Sequence, residues 1–241
     1  MNTNKSIPDS LSKYLAQAGI ASRRKAVDII KSKVVTVNGV MINEPGFKVN
    51  PNDCVRINDN LIRSQSKVYI LLNKPKNCIT TVSDDLGRHN VINLIGDQIK
   101  QRVYPVGRLD RNTTGLLLLT NDGELALKLS HPKFEVEKIY HVQLHKALTR
   151  ADMQKIKDGV NLEDGFIKVD AAHYFADRSK QNILVALHSG KNRIVRRIFE
   201  HLGYEVNKLD RAAYAGLTKA RLEGGQWRHL TKAEIASLRS F

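Results

Sequence analysis

The segment from Gly107 to Leu116 carries the residues of this sequence that are best placed for chemistry. It is polar and lies between two apolar stretches. Its one carboxylate, Asp110, stands between Arg108 and Arg111, which could hold it ionised if it were shielded from water. Loops held by rigid strands often carry function, but aspartate also serves in turns by accepting local N–H groups. The residues alone leave a catalytic and a structural role for Asp110 open.

A second polar segment, residues 190–199, follows a predicted strand and opens a predicted helix. Arg193, Arg196 and Arg197 share one sector of that helix, and the aliphatic residues beside them can face the core. Arginine stays charged at any physiological pH, so one of these side chains could be the fixed partner of Asp110.

Tyr140 places an aromatic ring on a third segment, which reads as a strand. An exposed ring that stacks on a nucleic-acid base contributes about 1–3 kcal/mol. Taken alone, a strand tyrosine is more often a core residue whose hydroxyl is hydrogen-bonded. Its meaning therefore depends on the segments around it.

The sequence lacks the signatures of common cofactors. Gly190-Lys191 is followed by Asn192 rather than Ser or Thr, so it is not a Walker-type phosphate loop. No Gly-x-Gly-x-x-Gly follows a strand, which disfavours a dinucleotide fold and weakens the case for an S-adenosylmethionine enzyme. His141 and His145 lie in an alternating strand pattern without a third ligand nearby. We expect no cofactor and no metal.

The composition favours a polyanionic partner. The 241 residues include 39 Lys and Arg against 24 Asp and Glu, a formal charge of +15. The two cysteines, Cys54 and Cys78, cannot make a disulfide framework or a four-cysteine zinc site, which indicates a reducing compartment. The first ten residues are polar, and the strongest apolar run, Leu116 to Leu119, is too short to span a bilayer. We expect a cytoplasmic protein that does not enter membranes.

The first part of the chain forms a small module of its own. Leu11, Leu15 and Ala18 recur at helical spacing and Gly19 ends the run, after which Ser22 opens a second helix. Residues 34–42 predict a hairpin around Asn38-Gly39, because that pair accepts positive φ at both turn positions. Residues 54–57 form a last short strand.

The second helix begins with a run of cations. Arg23, Arg24 and Lys25 follow Ser22 in its first turn, where positive charge opposes the helix dipole. Either this is a solvated charge run, or Ser22–Lys25 is a phosphate site in which N–H groups and basic side chains face RNA. From Ser10 to Arg63 the module resembles the alpha-L RNA-binding domain, on its Leu-x-x-x-Leu-x-x-x-Gly, Ser-Arg-Arg and Val-x-Val-Asn-Gly segments.

The larger part alternates strands and helices and predicts an α+β fold. We expect a mixed, mostly antiparallel sheet with flanking helices, preceded by the small alpha-L domain. The predicted strands are 68–72, 103–106, 116–120, 136–144, 166–173, 183–187 and 205–209. The predicted helices begin at Glu124, after the capping residue Thr149, at Asn192 and after Thr231. The predicted boundaries are a polar tail 1–9, the alpha-L domain 10–63, a linker 64–67 and a second domain 68–241.

Three motifs in order resemble the pseudouridine synthases of the RsuA/RluB family. They are Gly-Arg-Leu-Asp-x-Asn-Thr-x-Gly-Leu from Gly107, Glu-Lys-Ile-Tyr ending at Tyr140, and Gly-Lys-Asn-Arg-Ile-Val-Arg-Arg from Gly190. The Leu-Asn-Lys-Pro segment from Leu72 resembles the family's start, and residues 224–230 resemble its large-subunit branch.

The resemblance implies roles for individual residues. Asp110 matches the catalytic aspartate, Tyr140 the ring that lies against the target base, and Arg196 the basic residue that pairs with the aspartate. Arg108 is expected to help hold the target uridine outside its helix. Ile194 stands where relatives often carry a polar residue, so no polar contact is expected there. The RNA-contacting set is completed by Lys74, Lys191 and Arg193.

The implied reaction is the isomerisation of one uridine in ribosomal RNA by a monomer without a cofactor. The target must leave its stack to reach a carboxylate. Asp110 would attack the nucleotide or remove a sugar proton, and the sequence leaves both roles open. Tyr140 is a candidate base for the C5 proton. Two rival readings share the charge and the alpha-L module: a non-catalytic RNA-binding or ribosome-assembly factor, and an RNA methyltransferase.

Overall fold

The computed structural model describes residues 8–175 and 179–241. Most of the predicted polar tail, residues 1–7, lies outside the described residues, and Asp9 already belongs to a strand. The chain divides into two units, Met1–Lys67 and Val68–Phe241. Within the described ranges, no helix has the length and apolar character needed to cross a membrane.

The first unit combines two helices with short strands. Ser22 begins the second helix as predicted and Ser10 begins the first, since their hydroxyls accept the N–H groups of Lys25 and Lys13. The hairpin at Asn38-Gly39 is confirmed, with φ angles of 52° and 81°. The elements are β1 Asp9–Ser10, α1 Leu11–Gln17, α2 Arg23–Lys31, β2 Val35–Val37, β3 Val40–Met41, β4 Lys48–Val49, β5 Val55–Ile57 and β6 Asn60–Leu61. β1 pairs with β4, and the other strands form a sheet in the order β3-β2-β5-β6.

The second unit is built on one large sheet. Its strands are β7 Tyr69–Lys74, β8 Tyr104–Pro105, β9 Thr114–Thr120, β10 Lys138–Leu144, β11 Val160–Leu162, β12 Gly165–Ile167, β13 Ala171–Tyr174, β14 Asn182–Leu187, β15 Val206–Tyr214, β16 Leu217–Thr218 and β17 Trp227–His229. Its helices are α3 Val91–Ile95, α4 Gly123–Ser130, α5 Arg150–Asp158, α6 Ile194–His201 and α7 Lys232–Arg239.

The sheet runs in the order β13-β14-β10-β15-β9-β7-β17, with β8 beside β9 and β16 beside β15. Among the strands of the described residues, β15 and β9 pair in parallel and the other neighbours are antiparallel. The predicted mixed, mostly antiparallel α+β fold is therefore confirmed.

The leucine run of β9 lies at the centre of this sheet. Leu116 to Leu119 are fully buried, and every residue of the neighbouring β7 is buried as well. Burying one leucine side chain stabilises the fold by about 1.5–3 kcal/mol, so this run fixes the strand firmly. The loop that precedes β9 is thereby attached to a strand whose leucines are fully buried inside the sheet.

Two predicted strands were wrong in extent. Residues 166–173 are divided between β12, which pairs with β11, and β13, which pairs with β14. Phe166 is 58% exposed, so the alternating pattern there does not mark a buried face. β15 does not end at Leu209 but continues through Asp210 and Arg211, whose polar side chains find partners inside the fold.

Candidate active site

The loop between β8 and β9 holds Asp110 in place through its backbone. The Asp110 carbonyl accepts the Thr113 N–H at 3.1 Å. The preceding residue, Leu109, is buried, and both its carbonyl and its N–H bond to the Thr80 hydroxyl, at 2.7 and 3.2 Å. The Asp110 side chain is 39% exposed, so a fixed backbone presents an accessible carboxylate.

Gly115 explains how this loop joins the sheet. It pairs with Arg211 of β15 in the parallel ladder and has a φ of 107°. A Cβ atom at this position would meet the Arg211 carbonyl and amide at the distance of an overlap. Only glycine permits this approach, which places the Asp110 loop directly against β15.

Lys74 was expected to contact RNA, and the structure corrects this prediction. Its side chain is fully buried, with Nζ donating to the carbonyls of Pro75, Cys78 and Arg111 at 3.0, 2.7 and 3.2 Å. Burial lowers the pKa of Lys74 to about 8, and the charge of Asp110 acts in the opposite direction. All three N–H donors are used, so Lys74 holds the backbone beside Asp110 instead of facing solvent.

The expected pair between Asp110 and Arg196 is also corrected. Arg193 Nη1 lies 4.0 Å from Asp110 Oδ2, whereas Arg196 Nη1 donates to the Val206 carbonyl at 2.9 Å. Arg193 caps α6 in the left-handed region, with a φ of 48°, and this backbone turns its side chain toward the carboxylate. Burial lowers the pKa of Arg196 and the Asp110 charge raises it, so the two groups are neighbours without a direct bond.

The remaining cations of this segment are held by the β11–β12 turn. Arg197 bonds to both carboxylate oxygens of Asp164, at 2.5 and 3.0 Å, which removes it from the sector predicted to face Asp110. Lys191 donates to the Asp164 carbonyl at 2.9 Å and is exposed at the rim of the site.

Tyr140 lies on β10 opposite Arg211 of β15 and Val185 of β14. The ladder to β15 is irregular between Ile139 and Tyr140, and such bulges re-aim side chains beside active sites. The ring is partly buried against the core.

One cleft brings the predicted residues together. It has a volume of ≈ 180 Å³, and both Asp110 and Tyr140 line it. Its basic lining residues are Arg108, His131, Lys138, His188, Lys191, Arg193 and Arg211. Arg196 lies in a neighbouring cleft, which Asp110 and Arg193 also border. Among the described residues, Asp110 is the one carboxylate that lines the first cleft.

Lys138 and Arg211 were not predicted. Lys138 precedes Tyr140 by two positions and therefore shares its face of the strand, a signal that the sequence did contain. Its Nζ donates to the carbonyls of Val136 and His188, each at 2.7 Å. Burial, and after it the charge of Arg211, lowers the pKa of Lys138 to about 8. The cleft is thus lined by one buried cation, Arg211, and one partly buried cation, Lys138.

The predicted phosphate site of the first unit is exposed. Arg23, Arg24 and Lys25 point to solvent in the first turn of α2. The Ser22 hydroxyl accepts the Lys25 N–H at 3.2 Å and is thus engaged as the helix cap. In the parts of the chain that the structure describes, no group of three His, Cys, Asp or Glu could hold a metal ion.

Comparison with known proteins identifies both units. Residues 68–201 match a family described as RNA pseudouridylate synthase, and residues 10–55 match the S4 domain. Ribosomal large subunit pseudouridine synthase B of Bacillus subtilis (strain 168) is 43% identical, over 96% of both chains. An uncharacterized RNA pseudouridine synthase of Aquifex aeolicus (strain VF5) is 40% identical, over 95% of this chain and 92% of its own.

A solved structure agrees with these relatives. The crystal structure of a pseudouridylate synthase matches with a TM-score of 0.67 and 27% identity, covering 95% of this chain and 99% of the other. The fold, the order of the motifs and the sequence relatives all point to the same enzyme class, so this chain belongs to the RNA pseudouridylate synthase family, whose members isomerise uridine in RNA.

Proposed function

We propose that this enzyme converts one specific uridine of ribosomal RNA, in the large subunit, to pseudouridine, with Asp110 as the catalytic carboxylate. The relatives named for the large subunit support this substrate. The observation that carries the proposal is the cleft itself, where a single described carboxylate lies beside Tyr140 among basic side chains.

The reaction is an isomerisation. The N1–C1′ bond breaks, the uracil turns, C5 bonds to C1′, the C5 proton leaves, and N1 gains a proton. No electron or group is transferred to another molecule, so the proposed chemistry uses no cofactor and no metal. Asp110 attacks the nucleotide or removes a sugar proton, and Arg193 is the cation that lies against it in either role.

Tyr140 is proposed to pack against the flipped uracil and to accept the C5 proton late in the reaction. Stacking on an aromatic ring replaces part of the stacking that the base loses when it leaves the RNA helix. Arg108, Lys191 and Arg193 are exposed at the rim of the cleft, where their charges suit RNA phosphates. Arg196 is proposed to support Asp110 from its bond to Val206.

The first unit is proposed to bind the same RNA. Residues 10–63 would hold the backbone through Ser22, Arg23, Arg24 and Lys25, residues 64–67 would link the units, and residues 68–241 would perform the isomerisation. The charge of +15 supports a polyanionic substrate. We further propose that the enzyme is a cytoplasmic monomer.

The test is to incubate the purified chain with unmodified transcripts of each ribosomal RNA and to map new pseudouridines by primer extension after carbodiimide treatment. We expect one converted position in the large-subunit RNA and none in the small-subunit RNA. Tight RNA binding without any new pseudouridine would favour the non-catalytic assembly factor. Binding of S-adenosylmethionine would instead favour the methyltransferase.

A further inference from the structure

Arg211 is a buried cation that the proposed roles do not use. It is 3% exposed, and its Nε donates to the Leu116 carbonyl at 2.7 Å. Its Nη2 is buried and makes no hydrogen bond to any residue that the structure describes. Its guanidinium carbon lies 4.5 Å from the centre of the Tyr214 ring. An unpaired guanidinium N–H inside a protein costs free energy, so a partner from outside the chain is expected.

The position of Arg211 shows where that partner would lie. Arg211 lines the cleft together with Asp110 and Tyr140. It is the direct cross-strand partner of Tyr140, and opposed residues on neighbouring strands project from the same face of a sheet. On its other side it pairs with Gly115, the second residue of β9, which directly follows the Asp110 loop. Arg211 thus lies on the strand between the one that follows the Asp110 loop and the one that carries Tyr140, and it borders the cleft that both residues line.

The charge around Arg211 narrows the chemistry of the partner. Lys138 lies close enough for the charge of Arg211 to lower its pKa, and both side chains line the cleft. Within 4.0 Å of Arg211 there is no carboxylate of a described residue. A buried cation with no carboxylate in contact is stabilised when the ligand brings negative charge. The exposed cations at the rim of the cleft suit RNA phosphates, so we expect the anion that meets the buried Arg211 to be a different group.

We infer that Arg211 contacts the target uracil and stabilises the negative charge that develops on its ring as the N1–C1′ bond breaks. This inference rests on the proposed function. When that bond breaks, its electron pair stays on N1 and spreads over the ring nitrogens and the carbonyl oxygens. The pair is used again when C5 bonds to C1′, after which C5 loses its proton and N1 gains one. Both roles left open for Asp110 produce this anion.

Arg211 would act as a donor placed in advance where charge appears. Donors of this kind strengthen their bonds in the transition state and cost no reorganisation at the moment of reaction. The bond to the Leu116 carbonyl and the contact with Tyr214 fix the guanidinium, while its buried Nη2 has no hydrogen-bond partner among the described residues. A merely structural role would use the first two contacts and leave Nη2 without a purpose.

The test compares Arg211→Met with the wild type in single-turnover reactions. We expect the rate of pseudouridine formation to fall by about 10²–10³-fold, the loss typical of one removed transition-state donor, while the Kd for RNA changes less than about twofold. In RNA that carries 5-fluorouridine at the target, the departing uracil is more acidic and needs less stabilisation. The consumption of 5-fluorouridine is measured by mass spectrometry of the nucleosides. The factor by which Arg211→Met slows this consumption relative to the wild type is expected to be at least ten times smaller than the factor for uridine.

Lys219→Met is the matched control. Lys219 forms an ion pair with Asp210 next to Arg211 in the chain but does not line the cleft, so its loss is expected to affect both substrates equally and weakly. Equal slowing of both substrates by Arg211→Met, or an unchanged rate, would overturn the inference. If Arg211→Met does not fold, Arg211→Lys is expected to slow the reaction of uridine more than that of 5-fluorouridine. Equal slowing of both substrates by Arg211→Lys would also overturn the inference. A wild type that forms no pseudouridine refutes the proposed function itself.

Discussion

Replacing Asp110 by asparagine removes one charge and keeps the shape of the side chain. The structure predicts a small effect on stability, because the pair with Arg193 is long, at 4.0 Å, and the two side chains are 39% and 47% exposed. An exposed pair of this kind contributes about 0–1 kcal/mol, so the melting temperature is expected to stay within about 4 °C of the wild type. RNA affinity is expected to stay equal or to rise slightly, since the cleft gains net positive charge.

The effect of Asp110→Asn on activity is expected to be much larger than its effect on stability or RNA binding. An amide is neither a nucleophile nor a base of useful strength, so single-turnover pseudouridine formation is expected to fall by more than about 10⁴-fold. The assay is pseudouridine content after nuclease digestion, with RNA retention on filters as the binding measurement. Asp97→Asn, at an exposed aspartate outside the cleft, is the control and retains full activity. An Asp110→Asn enzyme that kept more than one hundredth of the rate would refute the catalytic role.

Three further predictions follow from the packing and charge. Gly115→Ala is expected to destabilise the protein by more than about 2 kcal/mol in thermal unfolding, because its Cβ would overlap the Arg211 backbone. A melting curve equal to that of the wild type would contradict the close contact between Gly115 and Arg211. The pKa of Lys74 is about 8 in the folded protein and 10.5 in the unfolded chain, so the unfolded chain binds more protons between these pH values. The free energy of unfolding of the wild type is therefore expected to rise from pH 8 to 10.5, and Lys74→Met is expected to lack that rise. Parallel pH profiles of the two proteins in urea unfolding would contradict the burial of Lys74. Neutralising residues 23–25 together is expected to weaken RNA binding, while the rate of pseudouridine formation in the bound complex stays unchanged. The slope of the logarithm of the binding constant against the logarithm of salt concentration is expected to fall by about one for each lost phosphate contact. An unaltered slope would contradict the phosphate site.

Much of the fold follows from local signals in the sequence. The turn at Asn38-Gly39, the capping box that begins α7 at Thr231 and the leucine run of β9 each have one stable local solution. The second half of β15 could not be predicted, because Asp210 and Arg211 interrupt the apolar pattern. Their partners, Thr114 and the Leu116 carbonyl, lie on a strand almost one hundred residues away in the chain.

The candidate site, like the fold, could be predicted from the sequence only in part. The motifs predicted which residue types meet, and Asp110 and Tyr140 do line one cleft. They could not predict that Arg193 lies nearer the carboxylate than Arg196, since this depends on the left-handed backbone at Arg193. The burial of Lys74 could not be predicted either, because the Arg111 carbonyl that helps to hold it lies 37 residues away in the chain and reaches it only in the folded protein.

The most direct test of the catalytic account is tritium release from large-subunit ribosomal RNA labelled at C5 of its uridines, with EDTA present and no cofactor added. The account predicts that the purified enzyme releases the tritium of one uridine per RNA molecule and that the Asp110→Asn enzyme releases none. Release by both enzymes, or by neither, would contradict it.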